Sequence, residues 1–270
     1  MSRDPRLWIA VTGKGGAGKS VIAGTLARIL ARRGHRVLAL DSDPMPGLTL
    51  SLGAEEPAEP PLNQAAENYE GFRWRLKSGI GPVRAIQRFS TEAPDGVRLL
   101  TLGKADRDGL SNIQGSVLAY HDAVNRLDRA KTFRNWALIG DVPAGPRQVG
   151  AGFAAFARRY LVVVEPTWPS ALAGRRVARV ARAFLPGADV RFVASKVRGA
   201  ADRRRVELLI GKPVMASIPL DPEVAAAERR GVALLDAAPD ALAVHAIERL
   251  ADDLEGRRLS PHMNLGSSEE

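Results

Sequence analysis

No cysteine occurs anywhere in the chain, which excludes disulfides, thiolate metal centres and cysteine nucleophiles. Nor does any stretch reach the roughly 18 apolar residues that span a bilayer. Met1 to Arg6 is polar and has no apolar run ending in small residues, so it does not read as a secretory signal. A cytoplasmic protein without membrane attachment is expected. Lysine is scarce, seven residues in all, yet the formal net charge is +9, so arginine carries the basic excess. Two readings of that excess stay open: attraction to an anionic partner such as nucleic acid, or an arginine-rich solvated surface, since the arginines are spread along the chain.

What the chain does have is an ordinary hydrophobic fraction, 45%, enough for a real core. Short apolar runs without polar alternation fall at Leu7–Thr12, Arg36–Asp41, Val97–Leu102, Trp136–Asp141, Tyr160–Glu165, Val190–Ser195 and Val214–Ile218. Such runs suit strands buried on both faces of a parallel sheet. Helical patterns lie between them at about Lys19–Arg33, Ser116–Lys131, Val149–Arg158, Ser170–Phe184, Asp202–Ile210, Pro222–Arg229 and Asp240–Glu255. The alternation predicts an α/β fold, a doubly wound, mostly parallel sheet with helices on both faces. Residues 1–258 are expected to form one domain. Residues 54–95, opened by a Pro- and Glu-rich stretch, read as a variable insertion. Its Phe72, Trp74, Ile80, Val83, Ile86 and Phe89 are suited to covering a sheet edge or meeting a partner. Residues 259–270 read as a flexible tail.

Gly13-Lys14-Gly15-Gly16-Ala17-Gly18-Lys19-Ser20 fits the spacing G-x-x-x-x-G-K-[ST], with a strand-like run before it and a helical pattern after it. Glycines let backbone amides turn towards phosphate oxygens, and the helix N-terminus adds partial positive charge there. Gly13, Gly15, Gly16, Ala17, Gly18, Lys19, Ser20 and Val21 are the expected cradle. In it Lys19 reaches the β- and γ-phosphates and the Ser20 hydroxyl ligates Mg²⁺. Two acidic clusters, Asp41-Ser42-Asp43-Pro44 and Asp141-Val142-Pro143-Ala144-Gly145, close strand-like runs, where open α/β sheets bind ligands.

Lys14-Gly15-Gly16-Ala17-Gly18-Lys19-Ser20 resembles the deviant Walker A motif of MinD/ParA-type P-loop ATPases. The resemblance implies a nucleotide-sandwich homodimer in which Lys14 reaches the partner subunit's phosphates. By the same resemblance, Asp43 in the D-x-D-P segment orients the attacking water, and Asp41 supports magnesium or the loop. Asp141 in the D-x-P-A-G segment holds Mg²⁺ through water, and the region of Gly145 senses the γ-phosphate. Ser195 stands where relatives carry a base-reading asparagine, and Ile218-Pro219-Leu220-Asp221 resembles the family's second base-side turn. ATP with Mg²⁺ is the implied ligand, with weaker base selectivity.

Within that branch the chain is most similar to CooC-type maturation ATPases, through Ile9–Gly16, Ala23–Ala27, Val37–Pro44, Gly96–Leu100, Leu161–Pro166 and Ala227–Leu234. That group's C-x-C metal pair is absent: Arg107 to Asn112 holds no cysteine. Asp106, Asp108 and His121 have spacing that matches no established metal site and read as loop and helix residues. The expected function is an accessory or maturation ATPase for a partner enzyme, such as a metalloenzyme. The alternative is a ParA-like positioning ATPase that binds DNA in its ATP state, motivated by the net charge and Arg175, Arg176, Arg179 and Arg182. The acidic stretch Ala251–Glu255 argues against a MinD-like membrane helix. A third reading, a module that uses nucleotide only structurally, is disfavoured by Asp43 and Asp141.

Overall fold

The computed structural model describes residues 6–43, 47–57, 60–70, 73–103 and 110–257. In chain order the elements begin with β1 (Trp8–Gly13), α1 (Lys19–Arg32), β2 (Val37–Asp41) and α2 (Leu48–Leu52). A hairpin of β3 (Ala66–Glu70) and β4 (Arg73–Leu76) follows, then α3 (Pro82–Phe89), β5 (Thr91–Glu92) and β6 (Arg98–Thr101). Next come α4 (Leu110–Asn125), β7 (Ala137–Asp141), α5 (Pro146–Gly150), β8 (Arg159–Val164) and α6 (Trp168–Phe184). The remainder is β9 (Asp189–Val197), α7 (Ala200–Ile210), β10 (Ala216–Pro219), α8 (Pro222–Arg230), α9 (Leu234–Ala237) and α10 (Leu242–Glu255).

Eight strands form one sheet in the order β10-β9-β8-β1-β7-β2-β6-β5. Every ladder is parallel except β5 with β6 at one edge. The fold is therefore the doubly wound, mostly parallel sheet expected. Strands β1, β2 and β7 are buried along their whole length, which is why they read as unbroken apolar runs. Their side chains alternate between two cores. Trp8, Leu38, Leu138 and Tyr160 pack towards α3, α4, α6 and α7. Ile9, Val37, Ile139 and Leu161 pack towards α1, α2 and α8 to α10.

All seven strands expected from the sequence are present, shifted by one or two residues. The helix expected at Val149–Arg158 is mostly turn: α5 stops at Gly150, and Gly152 takes φ +84 in the turn that leads to β8. The helix expected at Ser116–Lys131 starts earlier, at Leu110, and ends at Asn125 before two 3₁₀ turns. Residues 54–95 hold regular structure that their loop-like opening concealed. The hairpin lies on α4, with the Trp74 ring against Gly115 and the Leu76 amide donating to Asp122 at 3.2 Å. Ala85 and Ile86 of α3 join the core, and β5 closes the sheet edge. Pro44, Phe72, Asp106, Asp108 and the tail at 259–270 lie outside the described residues. Among the described residues no helix is long and apolar enough to cross a membrane.

Candidate functional site

The carboxyl ends of β1, β7 and β2 are neighbours, and this adjacency assembles the polar centre. Val11 pairs with Asp141 in one ladder and Asp41 pairs with Asp141 in the next. Parallel partners in register project from the same face of the sheet, so the two aspartates stand side by side, both buried. Burial above all, then the neighbouring Asp141, pushes the Asp41 carboxyl up to about 8. Burial pushes Asp141 up to about 6, against the opposing pull of the Ser20 hydrogen bond and the Lys19 ammonium.

The Ser20 hydroxyl donates to Asp141 Oδ2 at 2.5 Å. The second oxygen, Asp141 Oδ1, is buried with no hydrogen-bond partner among the described residues. A buried carboxylate oxygen left bare is costly, and hard oxygen donors of this kind suit Mg²⁺. The residues present therefore fit a magnesium ion at Ser20 and Asp141. Asp41 is used differently. Its two oxygens accept from the backbone amides of Asp43 at 3.1 Å and Leu48 at 3.2 Å, so its side chain braces the loop between β2 and α2. Asp43 is partly exposed on that loop and close enough to help raise both buried aspartates. Ser42 ties the loop to β7, its amide and hydroxyl both donating to the Asp141 carbonyl.

The glycine-rich loop joins β1 to α1. Gly13 packs so tightly under β8 that a Cβ there would sit 2.4 Å from the Val163 carbonyl oxygen. Gly15 approaches Ala144, and Ala17 is buried. Gly18 caps α1 with φ +87, a conformation that favours glycine. The first-turn amides of α1 have no intrahelical acceptors and open into a cleft of about 640 Å³. Gly16, Gly18, Lys19, Ser20 and Val21 line its phosphate-like end, and Ser195, Pro219, Leu220, Val224 and Val232 line its other end. Lys19 is 8% exposed. Lys14 is exposed. Ser195 is buried, its hydroxyl 3.4 Å from where a Gly18 Cβ would be.

The structure thus brings Gly16, Gly18, Lys19, Ser20, Val21, Ser195 and Pro219 to one cleft, which Gly13, Gly15 and Ala17 do not line; Asp141 is joined to it through Ser20, with Asp41 beside Asp141. His121 lies apart from it, its ring packed edge-on to Phe153 at 4.1 Å, and burial lowers its pKa.

Several residues at or beneath the cleft escaped the sequence reading. Tyr120 on α4 is fully buried close to both aspartates, and burial first, then their charge, raises its pKa. Arg28 of α1, 2% exposed, donates to Asp95 at 2.6 Å and grips both oxygens of Asp236 at 2.6 and 2.7 Å. It joins the helix behind the cradle to α9, next to the far wall of the cleft. Arginines spread along a chain carry no local mark of which one is buried. Asp221 was read only as part of the base-side turn, although its place before a proline marks a helix start. It caps α8 and also accepts from Ala243 at 2.9 Å, fixing α10.

The chain matches the CobQ/CobB/MinD/ParA nucleotide binding domain family over residues 8–235. It is 29% identical over 250 residues to the carbon monoxide dehydrogenase accessory protein CooC of Rhodospirillum rubrum, covering 86% of this chain and 90% of that protein. An uncharacterised ATP-binding protein of Methanocaldococcus jannaschii is 27% identical over 237 residues, covering 83% and 89% respectively. Among solved structures, the septum site-determining protein MinD of Pyrococcus horikoshii, complexed with Mg-ADP, superposes with a TM-score of 0.66 at 18% identity. That match covers 91% of this chain and 94% of the MinD chain. With its glycine cradle and paired aspartates at the carboxyl ends of β1, β7 and β2, the chain belongs to the MinD/ParA-type family of P-loop nucleotide-binding ATPase domains.

Proposed function

We propose that the protein binds Mg-ATP in the cleft and hydrolyses it, and that it works as an accessory or maturation ATPase for a partner enzyme. The observation that carries the nucleotide reading is the Ser20–Asp141 pair behind the cradle, with Asp141 Oδ1 buried and bare. Ser20 and Asp141 would hold magnesium, while Asp41 acts on the loop that carries Asp43. Magnesium held there would supply charge that neutralises the triphosphate. Lys19 and the first-turn amides of α1 bind the phosphate oxygens. Asp43 orients the water whose oxygen bonds to the γ-phosphorus as the bond to the β–γ bridging oxygen breaks, giving ADP and phosphate. Lys14, exposed beside the cleft, acts on the partner subunit's phosphates in an ATP-dependent homodimer. Ser195 and Pro219 line the base side.

Residues 1–258 are proposed to act as one ATPase unit in the cytoplasm. The partner reading draws on the similarity to CooC, whose name ties it to carbon monoxide dehydrogenase. A chain without cysteine offers no thiolate for a soft metal ion, so the proposed role is a nucleotide-driven clamp rather than a metal carrier. The test is phosphate release by wild type, set against Lys19→Ala and Asp43→Ala, with light scattering for dimerisation. Lys19→Ala is expected to lose nucleotide binding, and Asp43→Ala to keep binding and lose turnover. Wild-type protein that binds Mg-ATP in calorimetry without turning it over reduces the proposal to a binding module. Co-purification with a metalloenzyme or its assembly factors tests the partner reading.

A second reading has its own observation. On the adjacent helices α6 and α7, Arg175, Arg176, Arg179, Arg182, Arg204 and Arg205 are exposed. Among the described residues they form no ion pair. Such a surface suits ATP-dependent, salt-sensitive binding to duplex DNA, which a gel-shift series at rising salt would detect.

A further inference from the structure

Lys196 is one of only two non-glycine residues with positive φ among the described residues, at +56. Left-handed backbone is rare for a side chain of this kind, and where it persists its surroundings hold it. Here two contacts hold it. Lys196 Nζ donates to the carbonyl oxygen of Gly16 at 2.6 Å and pairs with Glu165 Oε1 at 3.1 Å. Three segments meet at this ammonium: the end of β9, the turn after β8 and the middle of the glycine-rich loop.

The far end of the same peptide unit is also held. The Ala17 amide donates to the Lys14 carbonyl at 3.3 Å. The Gly16–Ala17 peptide plane is therefore fixed at both its oxygen and its nitrogen. A planar peptide held at two points cannot rotate, and in a loop rich in glycine that rotation is otherwise cheap. The residues that follow, Gly18, Lys19 and Ser20, line the cleft, and a fixed plane before them narrows the directions their amides can take. Lys19 and Ser20 need that narrowing to meet a phosphate chain.

We propose that Lys196 is a positioning residue for phosphate binding: held by Glu165, its ammonium locks the Gly16–Ala17 peptide so that the loop's remaining amides face the phosphates. The inference rests on the Mg-nucleotide reading above and assigns to Lys196 a role separate from contact with the nucleotide's reacting atoms. The alternative use of the same side chain is as a wall, because its stem also lines the cleft. Lys196→Met separates the two, since it keeps the stem and removes the ammonium.

The test is calorimetry with Mg-ADP on wild type, Lys196→Met, Lys196→Arg and Glu165→Gln, with phosphorus NMR of the bound ADP. A charge-assisted hydrogen bond of this kind predicts about a tenfold loss of Mg-ADP affinity in Lys196→Met. The β-phosphate resonance of bound ADP should move. Lys196→Arg should recover most of the affinity, and Glu165→Gln should lose part of it with the same movement of the resonance. Should Lys196→Met fail to fold, Glu165→Gln carries the same comparison. Binding within twofold of wild type, or a weaker affinity with an unmoved β-phosphate resonance, overturns the positioning role. Wild-type protein that binds no Mg-ADP overturns the nucleotide reading itself, whereas wild-type binding with an unaffected Lys196→Met overturns only this inference.

Discussion

At its phosphate end the cleft is built from backbone, glycine and charge: the amides after Gly18, the buried Lys19 and the Ser20–Asp141 pair. At its base end it is walled by aliphatic side chains, Leu220, Val224 and Val232, with the buried Ser195 among them. Charge and backbone geometry act over a few ångströms in fixed directions, so each group at the first end has one workable place. Apolar walls act through area and shape, so many residues serve. The first end is therefore brittle to substitution and the second tolerant. Arg28 joins them, because it ties α1, which begins at the cradle, to α9 beside the base wall.

The sharpest way to break this contrast is at the phosphate end. Lys14→Ala is expected to lower turnover by about 10³–10⁵, the range for a cationic finger acting in trans, with Mg-ADP affinity of the monomer kept. Single-turnover kinetics checks this, and a loss under tenfold removes Lys14 from the chemistry. The link between the two ends comes next. Arg28→Ala takes both hydrogen bonds from Asp236, while Asp95 keeps Arg32 at 3.0 Å. Since Asp236 is 40% exposed, the cost is expected below that of a broken buried pair, about 2 kcal/mol, read from urea unfolding. A change under ~1 kcal/mol would mean that packing alone holds α1 to α9.

Acid should loosen the same link. The Arg28 hydrogen bond holds the Asp236 carboxyl below its ordinary 3.8. Glu255 lies below its ordinary 4.5 although burial pulls the other way, because His35 and Arg33 bond to it. For carboxyls depressed in the folded state, the stabilisation is present above about pH 4.5 and is lost as pH falls through their folded values. Asp236→Asn with Glu255→Gln should flatten the fall in melting temperature below pH 4.5. An unchanged profile would assign acid unfolding to other groups. The smallest effect belongs to the base end. Leu220→Ala, at a side chain already half exposed, is expected to weaken Mg-ADP about threefold and leave the affinity for inorganic triphosphate unchanged. Equal losses for both ligands would mean that the two ends are not separable.

Legibility in the sequence follows the same division. The glycine-rich loop and the two acidic clusters stand out as motifs because each follows a strand-like run with residue types at set spacing. The strands could be read because two-sided burial leaves no polar alternation. The hairpin at Ala66–Leu76 and the helix at Pro82–Phe89 could not. They are short, and they are held by contacts distant in sequence, such as Trp74 on Gly115. The extent of α5 was misread because alanines and phenylalanines continue a helical pattern past Gly150 and Gly152, where the backbone turns. Lys196 sat beside a residue singled out for base contact, yet nothing local reveals that its ammonium reaches Gly16, 180 positions away.

By itself the sequence determined the alternating strands and helices, the glycine-rich loop and the order of the acidic clusters, because these depend on local periodicity and on residue types that a phosphate site requires. Only the tertiary structure decided that Asp41 and Asp141 stand side by side, that Asp41 braces a loop while Asp141 keeps a bare oxygen, and which arginine and which lysine tie the site together. Those outcomes depend on strand order and register, which bring together groups about a hundred residues or more apart, and no local pattern encodes that distance.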